Sequence, residues 1–176
     1  LERNSDNLAI FQFKVTATGE AINLSSVKLT KGGTSAISDF DMVYLYREVT
    51  VNGVLDGNDV LLGSQPLDAT NTFTGISNAQ VPDGSTGLHL LALVKTNEKG
   101  IAGRTLTLRI AAAADVKGVG ATSGLSINST GTATSATKTF WGITAALGAA
   151  TNAADTISVV ANSVKAVVQI KLSAFG

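Results

Sequence analysis

Short segments in which apolar and polar residues alternate recur along this chain and restrict what it can fold into. The clearest segment spans residues 8–18, where the apolar positions are Ala9, Phe11, Phe13, Val15 and Ala17. Successive side chains of a β-strand point to opposite faces, so this alternation predicts a strand with one buried face. A chain built from such segments must pair them into sheets.

Further strands are predicted at residues 22–29, 40–47, 60–63, 72–76, 88–95, 104–111, 137–144, 156–160 and 164–174. Turn-forming clusters at residues 81–85 and 97–100 separate some of them. Roughly ten short strands at this spacing predict an all-β fold, an antiparallel β-sandwich of immunoglobulin-like or jelly-roll type with little or no helix. The 176 residues are expected to form a single sandwich domain, 1–176.

Two segments fit the strand pattern less well. Residues 145–154 are rich in alanine, which favours helix, but Gly148 interrupts them, so they are expected to form a loop or one short helix. Residues 118–136 consist mainly of Gly, Ser, Thr and Ala and offer no apolar face. They are predicted to form a long exposed loop or hairpin tip.

Side chains that perform chemistry are scarce. The chain has no Cys, one His and one Trp. Ser and Thr hydroxyls need a positioned base to become nucleophiles, and a lone His89 leaves little from which to build one. His89 is interpreted as a structural histidine, and Trp141 as a core residue. We therefore predict that the protein is not an enzyme.

Charge and hydropathy exclude two further classes. The net charge is zero and only 15% of residues are charged, so no basic surface for nucleic acid is expected. The longest uncharged stretches are too rich in Gly, Ser and Thr to insert in a membrane. Cytosolic domains usually carry about 25% charged residues, so the low charge favours an extracellular or cell-surface location.

Asparagine-linked glycosylation has two candidate acceptors, Asn23 and Asn128. Each begins an Asn-X-Ser/Thr triplet, which is used only outside the cytoplasm. A chain rich in Ser, Thr and Asn also acquires such triplets by chance, so both interpretations stay open.

A candidate calcium loop lies at residues 48–59. Oxygen-bearing residues stand at loop positions 1, 3, 5, 9 and 12, a glycine at position 6 and a backbone carbonyl at position 7, which is the EF-hand spacing. The corresponding ligands are Glu48, Thr50, Asn52, Val54, Asp56 and Asp59. Because Thr50 is neutral and Asp59 is shorter than the usual Glu, the expected Ca²⁺ affinity is weak, about 10⁻⁴ to 10⁻³ M. The alternative is a polar hairpin loop without metal.

Five sequence segments carry a resemblance to a known class of module: residues 13–20, 22–29, 43–46, 52–56 and 59–63. Together they resemble a β-sandwich module that recurs in large surface proteins of bacteria and archaea. The resemblance covers about residues 9–115 and implies an extracellular, immunoglobulin-like sandwich, with no substrate specified. In those modules the loop typically begins with Asp, so Glu48 and Thr50 depart from the pattern.

The two ends of the chain carry long, strongly patterned strands. A terminal strand can complete a neighbouring subunit's sheet, and such a head-to-tail contact propagates into a filament. The first choice of donor strand lies within residues 1–17, with Leu8, Ala9, Phe11, Phe13 and Val15 as its apolar positions. The rival donor is residues 164–174, and both segments could instead be ordinary strands of one closed sandwich.

The leading hypothesis is therefore a structural subunit of an extracellular filament or surface array. Its partners would be copies of itself, joined by donor-strand complementation. The alternative is an extracellular binding or adhesion module of a larger surface protein, which would recognise carbohydrate or a partner protein.

Overall fold

Two antiparallel sheets make up most of the computed structural model, which describes residues 1–147 and 170–175. The strands in chain order are β1 (Leu8–Ala17), β2 (Ile22–Gly32), β3 (Phe40–Arg47), β4 (Val60–Pro66), β5 (Thr70–Thr74), β6 (Gln80–Val81), β7 (Gly84–Thr96), β8 (Thr105–Ile110), β9 (Val116–Gly120), β10 (Ser126–Asn128), β11 (Ala133–Thr134), β12 (Lys138–Thr139), β13 (Gly142–Leu147) and β14 (Ile170–Phe175). Helical structure in these residues is limited to single turns at Ile37–Asp39 and Ala113–Asp115. The predicted all-β sandwich is confirmed.

The first sheet has the order β1-β7-β3-β4, so β1 and β4 are its edges. The second sheet is built around β2. Ser26 pairs with Thr74 of β5 and also with Lys117 of β9, so β5 and β9 lie on opposite sides of β2. β6 lies on the β5 side and β8 on the β9 side, and beyond them β10 pairs with β9 while β11 and β12 pair with β8. A separate two-stranded sheet joins β13 and β14.

The core lies between the two sheets and follows the predicted alternation. Val43 and Leu45 of β3 are fully buried, and they face Val27 and Leu29 of β2 across one continuous apolar cluster. Each such side chain contributes about 1.5–3 kcal/mol of burial free energy. Apolar contact between the sheets is thus the main stabilising term of the sandwich.

Phe140 closes one end of the sandwich. Its ring is fully buried, and the ring centroid lies 5.6 Å from that of Phe40. A Cβ on Gly100 would meet the Phe140 ring at 2.5 Å, so only glycine permits this approach. Trp141 is 54% exposed, which makes its assignment to the core wrong. Successive residues of an extended chain point to opposite sides, and Phe140 takes the inward position.

The segment 118–136, predicted as a long exposed loop or hairpin tip, contains the end of β9, all of β10 and β11, and an exposed hairpin tip at residues 121–125 between β9 and β10. Gly118 and Gly120 occupy two of the three buried positions of β9, and Val116 occupies the third. A Cβ on Gly118 would lie 2.3 Å from Cγ2 of Ile22, so β2 approaches this strand too closely for a side chain. A strand whose inward residues are glycines has no apolar alternation to detect.

Two other predictions fall at the limit of the described residues. β13 occupies the first part of the alanine-rich segment, while residues 148–154 lie outside the described residues. The strand predicted at 156–160 also lies outside them.

Candidate functional site

The two sheets meet along two lateral seams, and one of them is sealed by an aromatic ring. The closed seam is the line where β4 of the first sheet meets β5 of the second. Phe73 of β5 packs over Gly63 of β4, and a Cβ on Gly63 would lie 2.9 Å from Cδ1 of Phe73. Phe73 is 5% exposed. At this seam the ring fills the space between the sheet edges.

The open seam lies on the opposite side, between β1 with residues 18–20 and the segment 127–133. A groove of about 930 Å³ separates these two walls. Buried apolar side chains of the core form its floor: Leu24, Val81, Ile110 and Val116. Small hydroxyl-bearing side chains dominate its rim: Thr16, Thr18, Ser129, Thr130 and Thr132. These floor residues are themselves only 0–5% exposed, so the apolar surface that the groove offers comes mainly from the partly exposed side chains of Val15, Ile22 and Ile127.

β1 offers a free strand edge along this groove. It is the terminal strand of the first sheet, and among the described residues only β7 pairs with it between positions 8 and 16. An edge strand presents a row of unpaired N–H and C=O groups that can template a further strand. The open seam thus combines free backbone hydrogen-bonding groups with an adjacent apolar floor.

Hydrogen bonds to the Glu20 carboxylate brace one end of the groove. Its carboxylate accepts the backbone N–H groups of Thr122 (2.9 Å) and Ser123 (3.0 Å) and the Ser123 hydroxyl (2.5 Å). The Ser123 hydroxyl is the largest cause of a lowered pKa of Glu20, followed by the two N–H donors. Across the same turn, Asp83 Oδ1 accepts the N–H of Gly19 at 2.9 Å. The end of the groove is therefore fixed to the turn after β1.

Asp115 anchors the other wall at the start of β9. Its side chain is 2% exposed and receives Lys28 Nζ at 2.6 Å. Its Oδ2 also accepts the N–H groups of Ala111 (2.9 Å) and Ala112 (2.8 Å). Burial by itself raises the pKa of Asp115, but the Lys28 and backbone hydrogen bonds outweigh it, so the pKa is lower than usual. From this turn the chain continues through β9 and β10 to the groove.

The loop at residues 48–59 is organised around Glu48, which is 4% exposed. Oε1 accepts the N–H groups of Asn52 (2.9 Å) and Gly53 (2.5 Å), and Oε2 accepts Nε2 of Gln12 at 2.6 Å. Asp59 accepts the N–H of Val49 at 2.9 Å and that of Asp56 at 3.0 Å. These carboxylates therefore close the loop through its own amides and tie it to β1.

The predicted calcium ligands accept hydrogen bonds from amides or lie exposed. In the described part of the chain, no group of three or more His, Cys, Asp or Glu side chains is placed to hold a metal ion. Asn52 and Asp56 each accept a backbone N–H two residues ahead, and Val54 is exposed. Thr50 is exposed as well. Calcium binding stays a prediction from the sequence.

The first-choice donor strand is paired within its own chain. β1 runs antiparallel to β7, with Phe13 opposite Leu90, and Phe11 and Phe13 stack with ring centroids 4.7 Å apart in the core. Of the rival donor, residues 170–174 lie in β14, whereas 164–169 lie outside the described residues. Which end donates a strand stays a prediction.

The remaining candidate residues are dispersed. Asn23 and Asn128 are both exposed, and Asn128 lines the groove while Oδ1 of Asn23 accepts Nε2 of Gln80 at 3.0 Å. His89 is partly exposed on β7, opposite Lys14 of β1. A glycan on Asn128 would stand in the mouth of the open seam.

Sequence reasoning did not find the groove. Its walls bring residues 13–20 together with 127–133, more than a hundred positions away. The only local signal was the pair Leu125 and Ile127, two apolar residues in a polar segment. Ile127 lines the groove, and Leu125 does not.

The fold and this site define an all-β sandwich with one sealed seam and one open seam. The sequence matches no protein-family model and no curated protein. Within the described residues there is also no helix with the length and apolar character needed to cross a membrane. The functional argument therefore rests on the geometry of the open seam.

Proposed function

We propose that this chain is a structural subunit of an extracellular filament or surface array, which joins copies of itself head-to-tail by β-strand complementation. The observation that carries this proposal is the open seam, where the free edge of β1 borders an apolar groove. A strand that adds to β1 satisfies the unpaired backbone groups and directs alternate side chains to the groove floor.

The closed seam supports this reading of the open one. Phe73 shows that a single aromatic side chain is enough to fill the space between two sheet edges of this sandwich. On the opposite side the rim carries Thr and Ser together with three charged residues, Lys14, Glu20 and Lys117, and the backbone edge of β1 has no paired strand among the described residues. An edge left available next to apolar surface favours a strand as its partner.

The direction of the contact follows from where the chain leaves the sandwich. Trp141 N–H donates to the Leu1 carbonyl at 3.0 Å, and the Leu1 amino group donates to the Thr139 carbonyl. The chain therefore leaves the sandwich, after Trp141, beyond the Leu8 end of β1. The groove flanks β1 at the other end, from Phe13 onwards. Donor and acceptor at opposite ends make a contact that does not close on itself and therefore propagates.

The location and family remain part of the proposal. A charged fraction of 15%, against about 25% in ordinary soluble domains, and a surface rich in hydroxyl groups favour the cell surface. The resemblance to immunoglobulin-like surface modules points the same way. Neither feature identifies a ligand.

The groove itself favours a second candidate function, an extracellular binding or adhesion module. Its volume of about 930 Å³ lies near the upper end of the 300–1,000 Å³ typical of ligand pockets, and its hydroxyl-rich rim offers hydrogen bonds. In that case the open seam would receive a peptide or glycan from another molecule, and the chain would stay monomeric without it.

Self-assembly of the purified full chain separates the two candidates. We would measure sedimentation velocity over a wide range of protein concentrations, in calcium and in EDTA, and image the same samples by negative-stain electron microscopy. Uniform filaments, or a series of linear oligomers that lengthens with concentration, are expected. A monomer at every concentration would contradict the filament proposal and favour the binding module.

A further inference from the structure

We propose that the ribbon, defined as the two strands β13 and β14, covers the open seam of the next copy of the chain, with β14 lying along the free edge of β1. This inference rests on the proposed function and assigns the donor to the C-terminal part of the chain. It also assigns the acceptor to the groove between β1 and residues 127–133.

The ribbon is a strand pair without a further partner in the described part of the chain. β13 and β14 pair with each other and with no strand of the sandwich. An isolated two-stranded sheet is at best marginally stable in water, and a third strand with an apolar surface to cover makes it persist. β1 offers both: a free edge and the groove beside it.

The register of the ribbon gives it one apolar face. Antiparallel partners lie on the same face, and alternate pairs share that face. The pairs on the first face are Ile143 with Ala174, Ala145 with Leu172, and Leu147 with Ile170. The pairs on the second are Gly142 with Phe175, Thr144 with Ser173, and Ala146 with Lys171. All six residues in the first set of pairs are apolar.

The dimensions of the two surfaces agree. β14 has six residues, and a strand of that length spans about 20 Å. The part of β1 beside the groove, residues 13–17, spans about 17 Å. One ribbon is therefore long enough to pair with the whole of the accessible edge.

A second copy is the occupant because the chain's own ribbon is not on its own β1. The described β1 pairs with β7 and with neither strand of the ribbon. The ribbon starts directly after Trp141, at the end of the sandwich away from the groove. A neighbour whose exit faces this groove delivers its ribbon to it, and leaves its own groove open for the next copy.

Two pairs of full-length variants test the assignment, each with a matched control. Ile127→Lys places a charge in the groove wall, at a residue 36% exposed, and Leu125→Lys places the same charge outside the groove, at a residue 67% exposed. Leu172→Lys charges the apolar face of the ribbon, and Ser173→Lys charges the other face. Thermal unfolding of all four checks that the sandwich stays folded.

Sedimentation velocity is expected to show that Ile127→Lys and Leu172→Lys each raise the concentration for half-assembly at least ten-fold, while both controls assemble like the wild type. An equimolar mixture of the two defective variants is the sharper measurement. Ile127→Lys keeps its donor and Leu172→Lys keeps its acceptor, so the mixture should form a dimer of one of each and stop there.

The outcomes separate the two proposals. If the wild type assembles and Ile127→Lys or Leu172→Lys assembles equally well, this groove or this ribbon is not the joint, although the filament proposal stands. If the mixture stays monomeric, the pairing of ribbon with groove is overturned. A wild type that never assembles contradicts both, and a ribbon bound to its own groove would give that result.

Discussion

The two seams of the sandwich differ in how the space between the edges of the two sheets is filled. At the closed seam, Phe73 reaches across to Gly63, and the missing side chain of the glycine makes room for the ring. At the open seam, the facing segment 127–133 carries mostly small polar residues, and a groove of about 930 Å³ lies over core residues that are themselves 0–5% exposed. Sealing thus depends on one large side chain opposite one absent side chain.

This difference indicates which apolar surface stabilises the folded monomer and which stabilises the assembly. Apolar surface buried within one chain at the closed seam stabilises that chain. Apolar surface left at the open seam lowers the free energy only when another strand covers it. Substitutions at the closed seam should therefore change unfolding, and those at the open seam should change association.

The largest expected effect comes from removing the seal. Phe73→Ala deletes a buried ring and leaves a cavity between β4 and β5, so the free energy of unfolding should fall by about 3–5 kcal/mol. Urea denaturation monitored by circular dichroism measures it. Assembly, assayed at a temperature where the variant stays folded, should be unchanged.

The matched substitution at the open seam is Val15→Ala, on β1 beside the groove. Val15 is only partly buried, so its truncation should cost about 1 kcal/mol, well below the loss at Phe73. If Val15→Ala destabilised the monomer as much as Phe73→Ala, the open seam would be packed like the closed one, and the comparison would fail.

The sequence predicted the strands with large apolar inward residues well and β9 poorly. The range 40–47 coincides with β3, and β1 and β2 begin where expected, because their inward residues are large and apolar. β9 was missed because Gly118 and Gly120 fill two of its three inward positions. Alternation of apolar and polar residues identifies strands that bury large side chains. It does not identify strands whose backbone packs directly against another backbone.

The site was less predictable than the fold. The calcium loop was chosen on spacing alone, and spacing cannot reveal that Glu48 is buried and turned to the amides of Asn52 and Gly53. The groove depends on residues brought together from distant parts of the chain. Burial and long-range pairing are tertiary properties, so a local pattern does not carry them.

A smaller effect is expected from two glycine substitutions that probe the seams directly. Gly63→Ala sets a methyl group 2.9 Å from Cδ1 of Phe73, so the ring must shift, and a loss of about 1–3 kcal/mol is expected. Gly131→Ala, in the rim of the open seam, meets nothing within 4 Å. It should be neutral or stabilising by about 0.4–1 kcal/mol through the unfolded state. Equal losses at both positions would show that the open seam has no free space.

Glu48→Gln tests how the loop at residues 48–59 holds β1. The substitution removes the charge that receives two backbone N–H groups and the Gln12 amide, so a loss of about 1–2 kcal/mol is expected. Hydrogen exchange should rise in the loop and in β1, and remain unchanged in β4 at the closed seam.

The same variant tests the calcium interpretation. Because the Glu48 carboxylate binds amides of the protein, its loss should lower the melting temperature equally in calcium and in EDTA. A calcium-dependent rise in the melting temperature of the wild type that disappears in Glu48→Gln would instead establish the calcium loop.

The smallest effect is a pH dependence at the wall of the open seam. The pKa of Asp115 is below its ordinary value of 3.8, because hydrogen bonds from Lys28, Ala112 and Ala111 outweigh the opposing effect of burial. Near that ordinary value the unfolded chain therefore binds more protons than the folded one, and stability falls as the pH falls through the lowered pKa. The contribution is fully present only at pH values above the ordinary pKa of 3.8. Lys28 is 41% exposed, so solvent screens the ion pair and the effect should be modest.

The substitution Asp115→Asn separates the contribution of Asp115 to the pH dependence of stability from that of the other acidic groups. The wild type should lose more stability between pH 5 and pH 3 than the variant, measured as the difference between their melting temperatures at each pH. Since Asp115 fixes the turn that leads into β9 and the groove wall, acid should also loosen the open seam before the closed one, and hydrogen exchange should rise at residues 116–128 before it rises in β4 and β5. Parallel pH profiles for the two proteins would show that the Asp115 carboxylate does not support this wall.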